Sequence, residues 1–216
     1  MTDDQLVVDV ADELTWDPKV DSESIAVFAK DGTVTLRGTV ESFREKREAK
    51  KAAENVYGVT SVDNELKVRL MTDGQRDDAD LRADVLQALM LDSLVPATID
   101  VAVNDSAVTL TGTAEYAFQR DEAIDVASTI LGVTDVWDEV ALTGPPAQAD
   151  DIEDAIKKAY KRSARLDADA LTIETKENKV TLKGTVRSWA EHDDAIDAAW
   201  AAPGVREVDD RIAVLY

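Results

Sequence analysis

The sequence predicts an α+β fold of three tandem α-β-β-α-β modules, each a small three-stranded mixed sheet covered on one face by two helices. Three observations carry that prediction. The phrase Val-Thr-Leu-x-Gly-Thr occurs three times, in "GTVTLRGTV", "SAVTLTGTA" and "NKVTLKGTV". Its glycine (Gly38, Gly112 or Gly184) is followed twenty residues later, without a gap, by a second one (Gly58, Gly132 or Gly204). Each second glycine opens a similar phrase: "VTSVDNEL", "VTDVWDEV" and "VREVDDRI". The first glycines stand 74 and 72 residues apart. A unit of about seventy residues can bury a small core of its own, so the repeat reads as three domains and not as a solenoid.

The first segment of each unit is helical. Leu6, Val10 and Leu14 recur at i, i+4 and i+8, as do Leu81, Val85 and Leu89, and Ile152, Ile156 and Tyr160. Pro18 and Pro96 fall near the ends of their helices, where stop signals belong. A strand follows, marked by Ile25 and Val27, by Ile99, Val101 and Val103, and by Leu171 and Ile173. The turns "KDG", "NDS" and "KEN" lead into the repeated phrase, so the pair is a β-hairpin. Alternation puts Val34, Leu36, Gly38 and Val40 on one face and Thr33, Thr35, Arg37 and Thr39 on the other.

A second helix begins at "SFRE" and "SWAE", which have the form of a capping box. The middle copy has Tyr116 and Gln119 there, which predicts a weaker cap. Ala49, Ala52, Ala53 and Val56 form the buried face of this helix in the first copy, small enough for close approach to the sheet. The spacing predicts Gly58, Gly132 and Gly204 as left-handed C-caps. A third strand ends each unit, over residues 62–70, 136–142 and 208–216. The modules then span 1–70, 79–142 and 151–216, with linkers at 71–78 and 143–150. Gly144-Pro145-Pro146 continues neither a helix nor a ladder.

This order of elements, with V-T-L-x-G-x-V, a glycine twenty residues on and then V-x-x-V-x-[ND], resembles the BON domain, named for bacterial osmotically inducible and nodulation proteins. The resemblance covers nearly the whole chain in three copies. It implies kinship with two-copy periplasmic proteins made under osmotic stress and with phospholipid- or envelope-associated proteins. It also implies kinship with cytoplasmic members that pair one copy with a peptidoglycan-type module and sense potassium. It brings no catalytic residues. The six glycines match its signature positions and are expected to be structural.

Composition narrows the function classes. The 216 residues contain no cysteine and one histidine, and the net charge is −21. Thiol chemistry is excluded, and a field of that sign repels nucleic acid and anionic lipid at long range. No GxxG clamp of the KH type is present, so nucleic acid is not expected as a partner. No apolar run approaches the roughly 20 residues that cross a bilayer. The start shows no basic n-region or apolar h-region, which predicts a cytoplasmic protein, or a periplasmic one if a leader was removed.

Charge is unevenly spread: residues 5–70 carry 13 acidic against 10 basic residues, 77–144 carry 14 against 2, and 150–216 carry 15 against 11. The basic residues of the outer copies cluster in "REKREAKK", with Arg44, Arg47 and Lys51, and in "KKAYKRSAR", with Lys157, Lys158 and Lys161. These are read as solvated helix faces with i,i+4 pairing. The sharper reading is electrostatic docking on the acidic middle copy, within or between chains. Trp137 takes the place of Asp63 and Asp209 and points away from the core, either as an interface anchor for another copy or a partner or equally as a packing residue between domains.

Asn64, Asp138 and Asp210 recur at one position of the third strand, on its apolar face. A polar side chain there bonds nearby turn or bulge backbone, or else forms a shared ligand-contacting position. His192 is read as a solvated helix-face residue, since one histidine with surface carboxylates is a poor start for a metal site. No catalytic residue, metal or cofactor is expected.

The leading expectation is a non-enzymatic binding or scaffold protein of osmotic or envelope stress physiology, with an unidentified protein partner or self-association. The alternatives are a peripheral phospholipid-binding protein, implied by the resemblance, and a potassium- or calcium-binding sensor using the acidic middle copy.

Overall fold

The computed structural model describes residues 2–70, 76–145, 147–163 and 166–216. Residues 71–75 of the first expected linker, Pro146 of the second and Arg165 of the second basic run lie outside the described residues. The first module contains α1 (Asp3–Trp16), β1 (Ile25–Lys30), β2 (Thr33–Val40), α2 (Phe43–Glu54), β3 (Ser61–Asn64) and β4 (Lys67–Val68). The second contains α3 (Asp78–Leu91), β5 (Ile99–Asn104), β6 (Ala107–Ala114), α4 (Ala117–Ser128) and β7 (Asp135–Leu142). The third contains α5 (Ala149–Arg162), β8 (Leu171–Lys176), β9 (Lys179–Val186), α6 (Trp189–Trp200) and β10 (Glu207–Val214).

Each sheet has the repeated phrase as its central strand. β1 pairs antiparallel with β2, and β3 and β4 pair parallel with β2. β8 and β10 flank β9 in the same way, and β5-β6-β7 follow the same order. The outer strands therefore carry a free edge within their own sheets. One face of each sheet is packed by two helices. Val34, Leu36 and Val40 of β2 are buried with Leu6, Val10 and Leu14 of α1 and Ala49, Ala52 and Ala53 of α2. The third module repeats this with Val180, Leu182 and Val186 against Ile152, Ile156, Tyr160, Ala195 and Ala199. Tyr160 stands where the other copies have leucine, and its hydroxyl donates to the Ala195 carbonyl at 3.0 Å. Burial, together with the charge of Asp210, holds its phenol well above the usual range.

By compactness the chain forms two units, Met1–Gly112 with Glu122–Val140, and Thr113–Asp121 with Ala141–Tyr216. The apolar clusters of the first and third modules draw on separate residues, 6–66 and 152–214.

The helix starts are fixed as the sequence predicts. The Ser42 hydroxyl accepts from Glu45 N–H at 3.1 Å, and the Glu45 carboxylate reaches back to Glu41 N–H at 2.8 Å and across to Asp21 N–H at 2.7 Å. Ser188 and Glu191 repeat the box. In the middle copy the Gln119 side chain alone reaches back, to the N–H groups of Glu115 and Tyr116.

Two details differ from the sequence reading. Gly58, Gly132 and Gly204 are not helix C-caps, because α2 and α6 are already closed at Asn55 and Ala201. The glycines occupy the third position of a following turn. Their φ angles are 95°, 108° and 88°, and Val59, Val133 and Val205 donate back to Val56, Ile130 and Ala202. Positive φ at the third position alone defines a type II turn, and the third copy writes its preferred pair, Pro203-Gly204. Three residues of chain between helix and glycine hid this from a spacing argument. The other difference is in the first copy, where the third strand is interrupted at Glu65 and Leu66.

Candidate functional site

The interruption leads to a position shared by all three modules. Gly38, Gly112 and Gly184 sit at φ 139°, 109° and 137°. A Cβ on any of them would fall 1.9–2.2 Å from a backbone oxygen of the preceding segment, that of Ser24, Thr98 or Ala170. Directly opposite Gly184 in the parallel pair lies Ile212. Its N–H goes to the Asp210 carboxylate at 3.0 Å. Val140 N–H goes to Asp138 at 2.9 Å, and Leu66 N–H to Asn64 at 3.2 Å. The recurring Asn or Asp thus satisfies a strand amide two residues on, at the place where the central glycine departs from regular strand geometry.

In the first and third copies the second oxygen or nitrogen of that side chain meets the overlying helix. The Asn64 amide donates to the Lys46 carbonyl at 2.7 Å. Asp210 meets His192 Nε2 at 2.8 Å. His192 is only 8% exposed, which corrects its reading as a solvated residue. It stands at i−3 and i−7 to the buried Ala195 and Ala199, on the face turned to the sheet, and its ring lies edge-on to Trp189 at 4.8 Å. The two aspartates beside it in sequence suggested solvent; the deciding partner is eighteen residues away.

Burial opposes protonation of His192, but hydrogen bonds to Asp193 and Asp210 and their charges outweigh it and raise the imidazole pKa above its ordinary 6.5. A raised folded value means that the protonated ring stabilises the fold. That stabilisation is complete below about 6.5 and is lost as pH rises through the higher folded value. No cysteine or other histidine titrates nearby in pH. Denaturant titrations between pH 6 and 8.5 should therefore show the third module weakening with pH. Asp210→Asn should flatten the slope; an unchanged slope would mean that His192 is not the titrating group.

The basic run of the first copy lies on α2, within the first compact unit. Arg47 pairs with Asp125 of α4 at 2.6 Å and donates to Ser128 Oγ at 3.1 Å. A hollow of about 160 Å³ there is lined by Arg44, Arg47, Glu48, Lys51 and residues of α4. In the third copy, Lys157, Lys158 and Lys161 are exposed on α5, and Lys157 pairs with Glu153 of its own helix. Trp137 lies on β7 and is 59% exposed. Among the described residues, no group of three or more His, Asp or Glu is placed to hold a metal ion.

The sequence profile of the BON domain matches the chain three times, over residues 2–69, 77–144 and 148–216. The chain belongs to the BON domain family. Osmotically-inducible protein Y of Escherichia coli (strain K12) is 32% identical over 145 residues, 65% of this chain and 72% of that protein. Two solved structures are remotely similar. CdsD, a structural protein of the type III secretion system of Chlamydia trachomatis, aligns over 98% of this chain and 92% of its own at 14% identity and a TM-score of 0.28. The PrgH periplasmic domain aligns over 95% of this chain and 99% of its own at 10% identity and a TM-score of 0.24. Neither bears on function. Among the described residues, no helix of this BON protein is long and apolar enough to cross a membrane.

Within its BON modules, apolar side chains are exposed at matching places. Trp16 ends α1 and Leu91 ends α3, 83% and 79% exposed. Tyr57 and Leu131 each precede the turn glycine and are also exposed. Beside Leu91, an apolar hollow of about 460 Å³ is lined by Leu86, Met90, Val95 and Pro96.

Proposed function

We propose that the chain is a non-enzymatic binding or scaffold protein of osmotic stress physiology that acts through three BON modules. The observation that carries the binding role is the exposure of Trp16 and Leu91 at one equivalent position of two modules whose cores are otherwise closed. A fold needs no tryptophan there; a contact surface does. The physiological setting is supported by the relation to Osmotically-inducible protein Y. Chemistry is not favoured, because the single histidine is buried in an ion pair with Asp210.

The reading is tested in the source cell. Osmotic upshift should raise the abundance of the protein, and deletion should slow growth at high osmolarity. The full-length chain should restore growth, and a Trp16→Ser, Leu91→Ser variant of normal stability should not. Unchanged abundance together with unimpaired growth would overturn the osmotic role. Restoration by the double variant would overturn the proposed surface. Fractionation of the same cells decides between the cytoplasmic and the periplasmic reading.

A further inference from the structure

We infer that the hollow between α2 and α4 binds a phosphate-type dianion. Arg44, Arg47, Glu48 and Lys51 stand at i, i+3, i+4 and i+7 of α2 and so share one face. Asp125, Ser128 and Thr129 line the opposite wall. Two of the charges on α2 are already engaged. Arg47 is held by Asp125 at 2.6 Å, and Glu48 by Lys19 at 3.0 Å. Arg44 and Lys51 have no carboxylate partner among the described residues, although the chain as a whole has 45 acidic residues against 24 basic. Arg44 and Lys51, one a planar fork and one a flexible ammonium, are thus the unpaired cations of a lining that is net positive, three cations against Glu48 and Asp125.

A hydrogen phosphate or phosphomonoester carries about −1.5 to −2 charges at pH 7, with three strong acceptor oxygens. That matches the two free cations in charge, and Arg47 adds directed N–H groups. A volume of about 160 Å³ suits a single small anion and leaves little room for an extended chain. The net field of −21 sets a further condition. It repels anions at a distance, so only a ligand that gains short, charge-assisted hydrogen bonds inside the hollow offsets that repulsion.

This inference deepens the binding-protein reading by naming a ligand class for one site; its failure would leave the osmotic tests above untouched. The experiment uses the full chain and titrates inorganic phosphate and glycerol 3-phosphate, with chloride at matched ionic strength as the blank. Binding is followed by calorimetry and by the shift in thermal midpoint. The test variant is Arg44→Gln with Lys51→Gln, which keeps Arg47 and its contact with α4. Saturable binding to the parent chain, weakened about ten-fold or more in the variant, is the expected result. Vesicles of phosphatidic acid and of zwitterionic lipid form separate arms. Binding to phosphatidic acid vesicles that the variant loses, without binding of soluble phosphate, would identify the source of the dianion as a lipid headgroup. An absence of saturable binding in every arm, or equal binding by parent and variant, would overturn the inference. Capture of an acidic peptide in place of phosphate would overturn it too. Circular dichroism of the variant separates loss of binding from loss of fold.

Discussion

Gly38→Ala is expected to destabilise the first module severely. The new methyl group would lie 1.9 Å from the Ser24 carbonyl oxygen, well inside contact distance, and that oxygen belongs to backbone. Neither partner can rotate away. The φ of 139° adds its own penalty, since a side chain strongly disfavours that region. The strained backbone costs about 1–3 kcal/mol. The crowding adds about 1–3 kcal/mol more. A domain of about seventy residues holds only about 3–10 kcal/mol in total, so the module should lose most of its stability. Amide hydrogen exchange would show β1 and β2 losing protection. Thr35→Ala, three residues away on the uncovered face, should stay within about 0.5 kcal/mol of the parent. If Gly38→Ala melted with the parent, the close approach of the hairpin to its preceding segment would be wrong.

Leu110→Ala is expected to weaken the middle module by about 2–5 kcal/mol. Leu110 is fully buried on β6, the central strand, in a core that includes Val108, Leu81, Val85 and Ala123. Truncation removes apolar contact and leaves a void that alanine-rich helix faces cannot fill. Leu110→Met, which nearly conserves volume, should cost under about 1.5 kcal/mol. Urea titration of the full chain, read by exchange of amides in β5 and β6, checks both. Equal losses for the two substitutions would argue against a packed interior at this strand.

Much of this architecture was legible in the letters because it is local and repeated. The phrase Val-Thr-Leu-x-Gly-Thr gives both the pleat and the glycine that must bend it. The i, i+4 spacing of Leu6, Val10 and Leu14 gives the helix face, and Ser42 with Glu45 gives its start. What stayed hidden depends on partners remote in sequence. His192 looks solvated beside Asp193 and Asp194, yet Asp210 and Trp189 enclose it. The role of Asn64, Asp138 and Asp210 was readable only as two alternatives. The missing fact was that each side chain accepts from the strand amide two residues on. Arg47 was visible as one member of a basic run, but nothing in that run says that Asp125, seventy-eight residues later, would meet it.

The uncovered outer strands have a consequence for the acidity of the chain. Free strand edges are templates on which copies of a protein stack into aggregates, and carboxylates along them keep the copies apart. Asp63, Glu139 and Glu207 place such exposed groups on the third strand of every module. The surplus of negative charge is thus expected to work as a dispersant, written into the sheet margins. Near the isoelectric point of about 4.3 that the composition gives, where the carboxylates begin to neutralise, the same margins should become adhesive, which turbidity against pH would read.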